Sequence, residues 1–292
     1  MALRLGTSSW GEKGWVGTFY PPGTRPLGFL GHYAGQFGSV EADNTYYRIP
    51  SARTIRGWEE RTPLGFTLCA KFPRSIVHGG TGQQPDSAAI LESPLARASS
   101  DLFLERMQLM GAKLGPLLIQ FPYFNRSAFP ERGPFLERLD RFLGELPGDF
   151  RYAVELRNRQ WVDESFLEIL KRHRAAWVWA DLPYMPRPWQ WSEGLELQTA
   201  DFTYTRLIGD RKATNALTET FSRPVLDKAE ELLRWADYLR PVVAGPGDHF
   251  VFANNHYAGH GPATVRELRG LLGESLEEGR GQRQGELPLG PP

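Results

Sequence analysis

Cysteine is nearly absent from the chain. With only Cys69 in 292 residues, no internal disulfide can form, so the fold must rely on packing, and a reducing, cytoplasmic setting is the expectation. Net charge is absent as well. Lys+Arg and Asp+Glu both number 34, which excludes a protein held to nucleic acid by bulk charge and leaves only a local basic groove open. No run approaches the ~18 uninterrupted apolar residues of a membrane span, and the first residues carry no apolar leader core, so no membrane partner is expected. There is no GxSxG elbow, no GxxxxGK[ST] loop, and no HxH, HExxH or paired CxxC. Serine-triad acyl transfer and P-loop NTP hydrolysis are therefore not expected, and no motif announces a metal.

What is present is a rhythm. Short apolar runs fall at Leu3–Thr7, Ser39–Asp43, Phe66–Lys71, Leu117–Gln120, Tyr152–Leu156, Ala176–Asp181, Phe202–Leu207 and His249–Ala253. Their length and composition are those of buried strands. Helical spacing fills most of the gaps, at Pro26–Phe37, Ser51–Arg61, Leu95–Met110, Phe135–Leu146, Val162–His173, Ser222–Leu239 and Pro262–Leu272. Strand then helix, repeated eight times, predicts a single α/β domain, a (β/α)8 TIM-type barrel, over residues 1–273. A doubly wound dinucleotide fold would want GxGxxG after its first strand, and GTSSWGEKGW lacks that spacing. Two segments interrupt the rhythm, 79–94 after strand three and 182–199 after strand six, and both read as long loops. The final stretch, 274–292, is poor in apolar residues and reads as a disordered tail.

In such barrels chemistry sits where strands run out into the following loops. Those ends supply Thr7, Glu41, Asp43, Lys71, Gln120, Glu155, Arg157, Asp181, Arg206, Asn254, Asn255 and His256. Alternation places Glu41 with Asp43, Thr67 and Cys69 with Lys71, Glu155 with Arg157, Trp177 and Trp179 with Asp181, and Phe202 and Tyr204 with Arg206. If those stripes face inward, the mouth gathers carboxylates and cations in near balance. The structural alternative is an ion-pair network that closes the mouth and does no chemistry. Aromatic residues beyond the strand ends, among them Trp10, Tyr47, Phe121 and Trp161, suit stacking on rings or bases, or small cores beneath the loops.

Several blocks occur in fixed order: GTSSW followed by GW and FYP, VEADNTYYR, KFPR, KLGPLLIQFP, AVELRNRQW, YTRLIG and FANNHYAGHGPATVREL. From about Leu3 to Leu272 the chain resembles the domain-of-unknown-function family 72, also called the YecE-like family. The resemblance implies a TIM-type barrel and an activity not established. It singles out Thr7, Trp10, Trp15, Glu41, Tyr47, Lys71, Gln120, Phe121, Glu155, Arg157, Trp161, Asp181, Arg206, Asn254 and Asn255. Against the family pattern, Asp43 stands where Asn is usual, Asn158 where His is frequent, Ile208 in place of a usual His, and His256 where an acid is frequent. Two expected histidines are missing, which counts against a mechanism that needs them.

The functional expectation is an enzyme, of hydrolase, lyase or isomerase type, acting on a small polar or anionic ligand such as a phosphate ester or sugar derivative. A nucleic-acid phosphodiester is the narrower version. Glu155 would be the general acid or base, with Asp181 or Glu41 as partner carboxylate. Lys71, Arg157 and Arg206 would hold the anion, Gln120 and Asn254 would bond hydroxyls, and Trp10 would form a stacking wall; Thr7, Tyr47, Phe121, Trp161, Asn255 and His256 complete the expected binding set. No cofactor is assigned. A divalent ion shared by Glu41, Glu155, Asp181 and His256 stays open, because spacing cannot test convergence. The alternative is a non-catalytic binding or scaffold protein that keeps the ion-pair network.

Overall fold

The computed structural model describes residues 2–80, 82–191 and 194–273; the expected tail, 274–292, lies outside them. Eight parallel strands curl into a nearly closed barrel: β1 (Ala2–Thr7), β2 (Ser39–Ala42), β3 (Thr67–Lys71), β4 (Leu114–Gln120), β5 (Tyr152–Glu155), β6 (Ala176–Asp181), β7 (Phe202–Leu207) and β8 (Asp248–Ala253). The strands are buried along most of their length because side chains fill the interior and helices cover the outside. Hydrogen-bonded ladders run from β2 through β3, β4, β5, β6, β7 and β8 to β1.

The remaining junction, between β1 and β2, has no backbone ladder among the described residues. A phenol closes it instead. Tyr33 Oη accepts from the Thr7 amide at 2.7 Å and donates to the Ser39 carbonyl at 3.0 Å. A Cβ at Gly6 would run into that same carbonyl, so glycine is what lets the two strands approach.

The helical layer follows from local signals. α1 (Pro26–Ala34) opens on proline, and α2 (Ala52–Glu60) is capped by Ser51, whose hydroxyl accepts from the Thr54 amide. After the single turn α3 (Arg74–Val77) come α4 (Pro94–Met107), α5 (Gly133–Glu145) and α6 (Glu164–Arg172). The last of these is capped by Asp163 and carries Glu164 in its first turn and Lys171 and Arg172 in its last, matching the helix dipole. α7 (Arg211–Asn215), α8 (Ala229–Ala244), α9 (Asn255–Ala258) and α10 (Gly261–Leu272) complete the set.

The repeat is not eightfold. Between β6 and β7 the described residues hold a single 3-10 turn, Pro188–Gln190, and no α-helix. Prolines at 183, 186 and 188 remove amides that a helix needs. Trp189 covers that part of the wall by packing on Trp235 and Tyr238 of α8. The segment after β3 does not hang free: Ile90 and Leu91 are buried, and the Leu91 amide donates to the Ile76 carbonyl.

Candidate functional site

Arg206 organises the top of the barrel. It sits at the end of β7, is 2% exposed, and stands in register with Ala180 on one side and Phe252 on the other. The small alanine leaves room for the guanidinium to reach across the lumen. One terminal nitrogen donates to Glu41 Oε1 on β2 at 2.8 Å. The other donates to Gln120 Oε1 on β4 at 2.8 Å and to Glu155 Oε2 on β5. Register already sets Gln120 beside Glu155.

Each carboxylate is then closed from its other side. Arg157 Nε donates to Glu155 Oε1 at 2.7 Å. Tyr204 Oη donates to Glu41 Oε2 at 2.7 Å, and Lys71 Nζ lies 3.8 Å from Glu41 Oε1. Glu41 and Glu155 are fully buried, whereas the Lys71 and Arg157 side chains keep 11% and 22% of their surface, so the chain of charges ends on two cations that reach the mouth. Thr45 fixes the first of these: its hydroxyl donates to the Ala42 and Lys71 carbonyls and accepts from the Lys71 amide.

The electrostatics follow from this geometry. Burial alone would raise the pKa of Glu155, but Arg206 and Arg157 overcome it and hold the carboxyl at about 2. Burial would likewise lower Arg206, yet Glu41 and Glu155 raise it above its ordinary value. Lys71 is lowered by burial and by Arg206, against the pull of Glu41, Asp43 and Glu155. Asp43 is raised by burial, with Lys71 opposing. A carboxyl pushed up and an amine pushed down therefore share one mouth.

Beside this cluster, between the ends of β8, β1 and β2, lies a cavity of about 250 Å³. Thr7, Ser8, Asp43, Asn254, Asn255 and His256 are on its wall. Asn254 caps α9 through the His256 amide and also bonds His256 Nδ1 at 2.8 Å. Asn255 Oδ1 accepts from Trp15 Nε1 and from the Gly261 amide. Burial and Arg211 lower the pKa of His256. Ser8 Oγ is buried and meets no hydrogen-bond partner among the described residues.

Of the residues expected at the site, Glu41, Lys71, Gln120, Glu155, Arg157 and Arg206 converge, and Thr7, Asn254, Asn255 and His256 line the adjoining cavity. Five are elsewhere. Asp181 accepts from Trp235 Nε1 of α8 at 2.6 Å and from Arg187 at 2.7 Å, because the Trp177–Trp179–Asp181 stripe faces the outer layer rather than the lumen. The expected meeting of Asp181 with Glu41 and Glu155 is thus corrected, and the option of a divalent ion shared among them loses one of its ligands. Among the described residues no group of three or more His, Cys, Asp or Glu is placed to hold a metal ion. Phe121 follows the inward-facing Gln120, so it points outward and packs on Phe124 and Phe135. Trp161 stacks on Phe124 in the same aromatic core. Tyr47 is exposed against Tyr46, and Trp10 packs edge-on with Trp58 away from the charge cluster. Conversely, Asp43 proves to be a wall of the cavity and one of the perturbed groups; its spacing of two from Glu41 was the available signal.

Fold and site together define a TIM-type barrel with a charged, ordered mouth. The chain belongs to the family described as "Protein of unknown function DUF72", whose profile matches residues 4–286. It is 32% identical over 162 residues to the UPF0759 protein YecE of Escherichia coli strain K12, covering 54% of this chain and 50% of that protein. It is 27% identical over 167 residues to the UPF0759 protein YunF of Bacillus subtilis, covering 57% and 54%. The chain thus spans about half the length of these curated relatives. Among solved structures, a DUF72 family protein from Thermotoga maritima MSB8 superposes with a TM-score of 0.72 at 24% identity, over 94% of this chain and all of that one. Among the described residues no helix is long and apolar enough to cross a membrane.

Proposed function

We propose that the barrel mouth is an active site for a small polar ligand bearing an anionic group, and that Lys71 and Arg157 hold the anion. The observation that carries this reading is the chain Lys71–Glu41–Arg206–Glu155–Arg157, which tethers both outer cations from beneath while their far sides reach the mouth. Cations fixed in advance lose little freedom when an anion arrives, which is how a binding site is made ready for its ligand. The polar cavity beside them, with the Ser8 hydroxyl and the Asn254 and Asn255 amides, suits the hydroxyl-bearing part of a sugar derivative or phosphate ester.

Acid–base work in this reading falls to Asp43 and Lys71. Glu155 is ionised throughout the neutral range and both its oxygens are taken, so it acts by positioning Arg157 and Arg206. A raised carboxyl and a lowered amine bring the two proton affinities closer together, and proton transfer near neutral pH then costs less. The complete pairing of Glu41 and Glu155 favours the second reading, a binding protein without turnover. Both readings require the anion.

Phosphate or sulfate is expected to raise the melting temperature of the wild type by several degrees, since a hundredfold excess over Kd contributes about 2.7 kcal/mol. In Lys71→Met and Arg157→Met, both partly exposed positions, that rise should shrink. An equal rise in wild type and variants, measured by differential scanning fluorimetry, would remove the anion site.

A further inference from the structure

A groove leaves the mouth and runs between α1 and α2. The mouth cavity shares Ser9 and Gly11 with a hollow of about 480 Å³ that passes Trp10 and Trp58. This hollow shares Asn44 and Thr54 with another of about 370 Å³, lined by Arg48. It also shares Leu27 and Arg61 with one of about 610 Å³, lined by Arg53 and Arg56.

The charge along this path is one-sided. Lys13, Arg48, Arg53, Arg56 and Arg61 line the three outer hollows against a single carboxylate, Glu60. All but Arg61 are exposed, and none of those four forms a salt bridge with a described residue. Arg61 is partly occupied, donating to the Gly57 and Leu27 carbonyls. Since the chain as a whole is neutral, bulk charge does not explain this concentration. Elsewhere on the surface cations are commonly neutralised within the fold, as in Arg141 with Glu92, Arg172 with Asp140 and Arg234 with Glu230.

The groove also carries aromatic rings. Trp10 is half-buried and held by a T-shaped contact with Trp58 at 5.1 Å. Trp58 lines two of the hollows and holds Trp10 in place; Tyr46 and Tyr47 form a T-shaped pair at 5.2 Å outside these walls, with Tyr46 near Arg157 of the mouth. Rigid aromatic rings interleaved with unpaired cations suit unstacked bases on a phosphate backbone. An acidic peptide would answer the cations and leave the rings without a role.

We infer that this groove binds single-stranded nucleic acid and leads it toward the barrel mouth. Delivery of a backbone phosphate to Lys71 and Arg157 rests on the reading of the mouth as an anion site; binding in the groove does not.

The test uses a fluorescein-labelled oligothymidylate of about twelve nucleotides and fluorescence anisotropy. Each phosphate neutralised contributes about −0.7 to the logarithmic salt slope, so the four exposed cations give a slope of about −2.8. Arg53→Glu/Arg56→Glu should weaken binding at least tenfold and flatten the slope by about 1.4. Trp10→Ala should weaken binding about tenfold and leave the slope unchanged. The same double variant should keep its phosphate-induced rise in melting temperature, because neither residue touches the mouth. Failure of the wild type to bind the oligonucleotide, with that rise intact, overturns the groove and spares the mouth; binding without the rise overturns the mouth and spares the groove. Equal affinity for duplex DNA, or for polyglutamate with no effect of Trp10→Ala, also overturns the inference, the latter in favour of an acidic protein segment.

Discussion

Arg206→Met is expected to cost the fold about 3–5 kcal/mol, the loss typical when one partner of a buried ion pair is removed. Arg206 is 2% exposed and serves Glu41, Glu155 and Gln120 at once. Methionine fills similar space but leaves Glu41 in the lumen with only Tyr204 and the more distant Lys71 for company. Arg206→Lys keeps the charge, yet a single ammonium lacks the planar fork that spans three partners, so it should recover only part of the loss. Urea unfolding of the three proteins provides the measurement. A loss below about 1 kcal/mol for Arg206→Met, within the ordinary range of a surface change, would mean that the network contributes little.

Glu155→Gln is the second large effect, and its sign separates a structural carboxylate from a proton-transferring one. The folded pKa is depressed, from 4.5 to about 2. Stability from such a group is fully present above its unfolded value and is lost as pH falls through 4.5 toward 2. At 1.36 kcal/mol per unit, the contribution at neutral pH is about 3 kcal/mol. Wild-type stability should therefore fall steeply across that acid window, while the glutamine variant starts lower and follows a flatter curve. A carboxylate kept for turnover would behave otherwise: its removal would leave stability unchanged or improved. Parallel pH profiles for the two proteins would show that Glu155 is not the anchor described above.

Much of the barrel is legible in the sequence itself. Strand ends are marked by a change from apolar to charged residues, and six of the residues read from those ends, Arg206 among them, converge in one cluster. Alternation, however, gives two faces without saying which is inside. On β7 the stripe of Tyr204 and Arg206 faces the lumen; on β6 the lumen side is the small one, opposite Trp177, Trp179 and Asp181. The bulk of those indoles decides it, since the lumen at that height is already filled by Tyr204 and Arg206, while α8 offers Trp235 and Tyr238 as partners outside. Phe121 and Trp161 were misplaced for a related reason: an aromatic residue after a strand end serves a loop's own core as readily as a ligand. Nor could sequence show that one arginine holds two carboxylates, because Glu41 and Arg206 are 165 residues apart and only the closure of the sheet brings them together. The absence of a helix between β6 and β7 was legible, since the proline-rich stretch 182–199 reads as a long loop and holds only a 3-10 turn among the described residues.

The junction between β1 and β2 gives the barrel a seam of a different kind. Among the described residues, seven of its eight strand boundaries are sewn by backbone ladders, while side chains join this one, the Tyr33 hydroxyl below and a Ser9–Asp43 hydrogen bond at the mouth. Ser8 and Ser9 on one side and Asp43 on the other extend from this line to the mouth cavity. The wall beside the mouth cavity is accordingly the one held by side-chain hydrogen bonds and close packing in place of a backbone ladder.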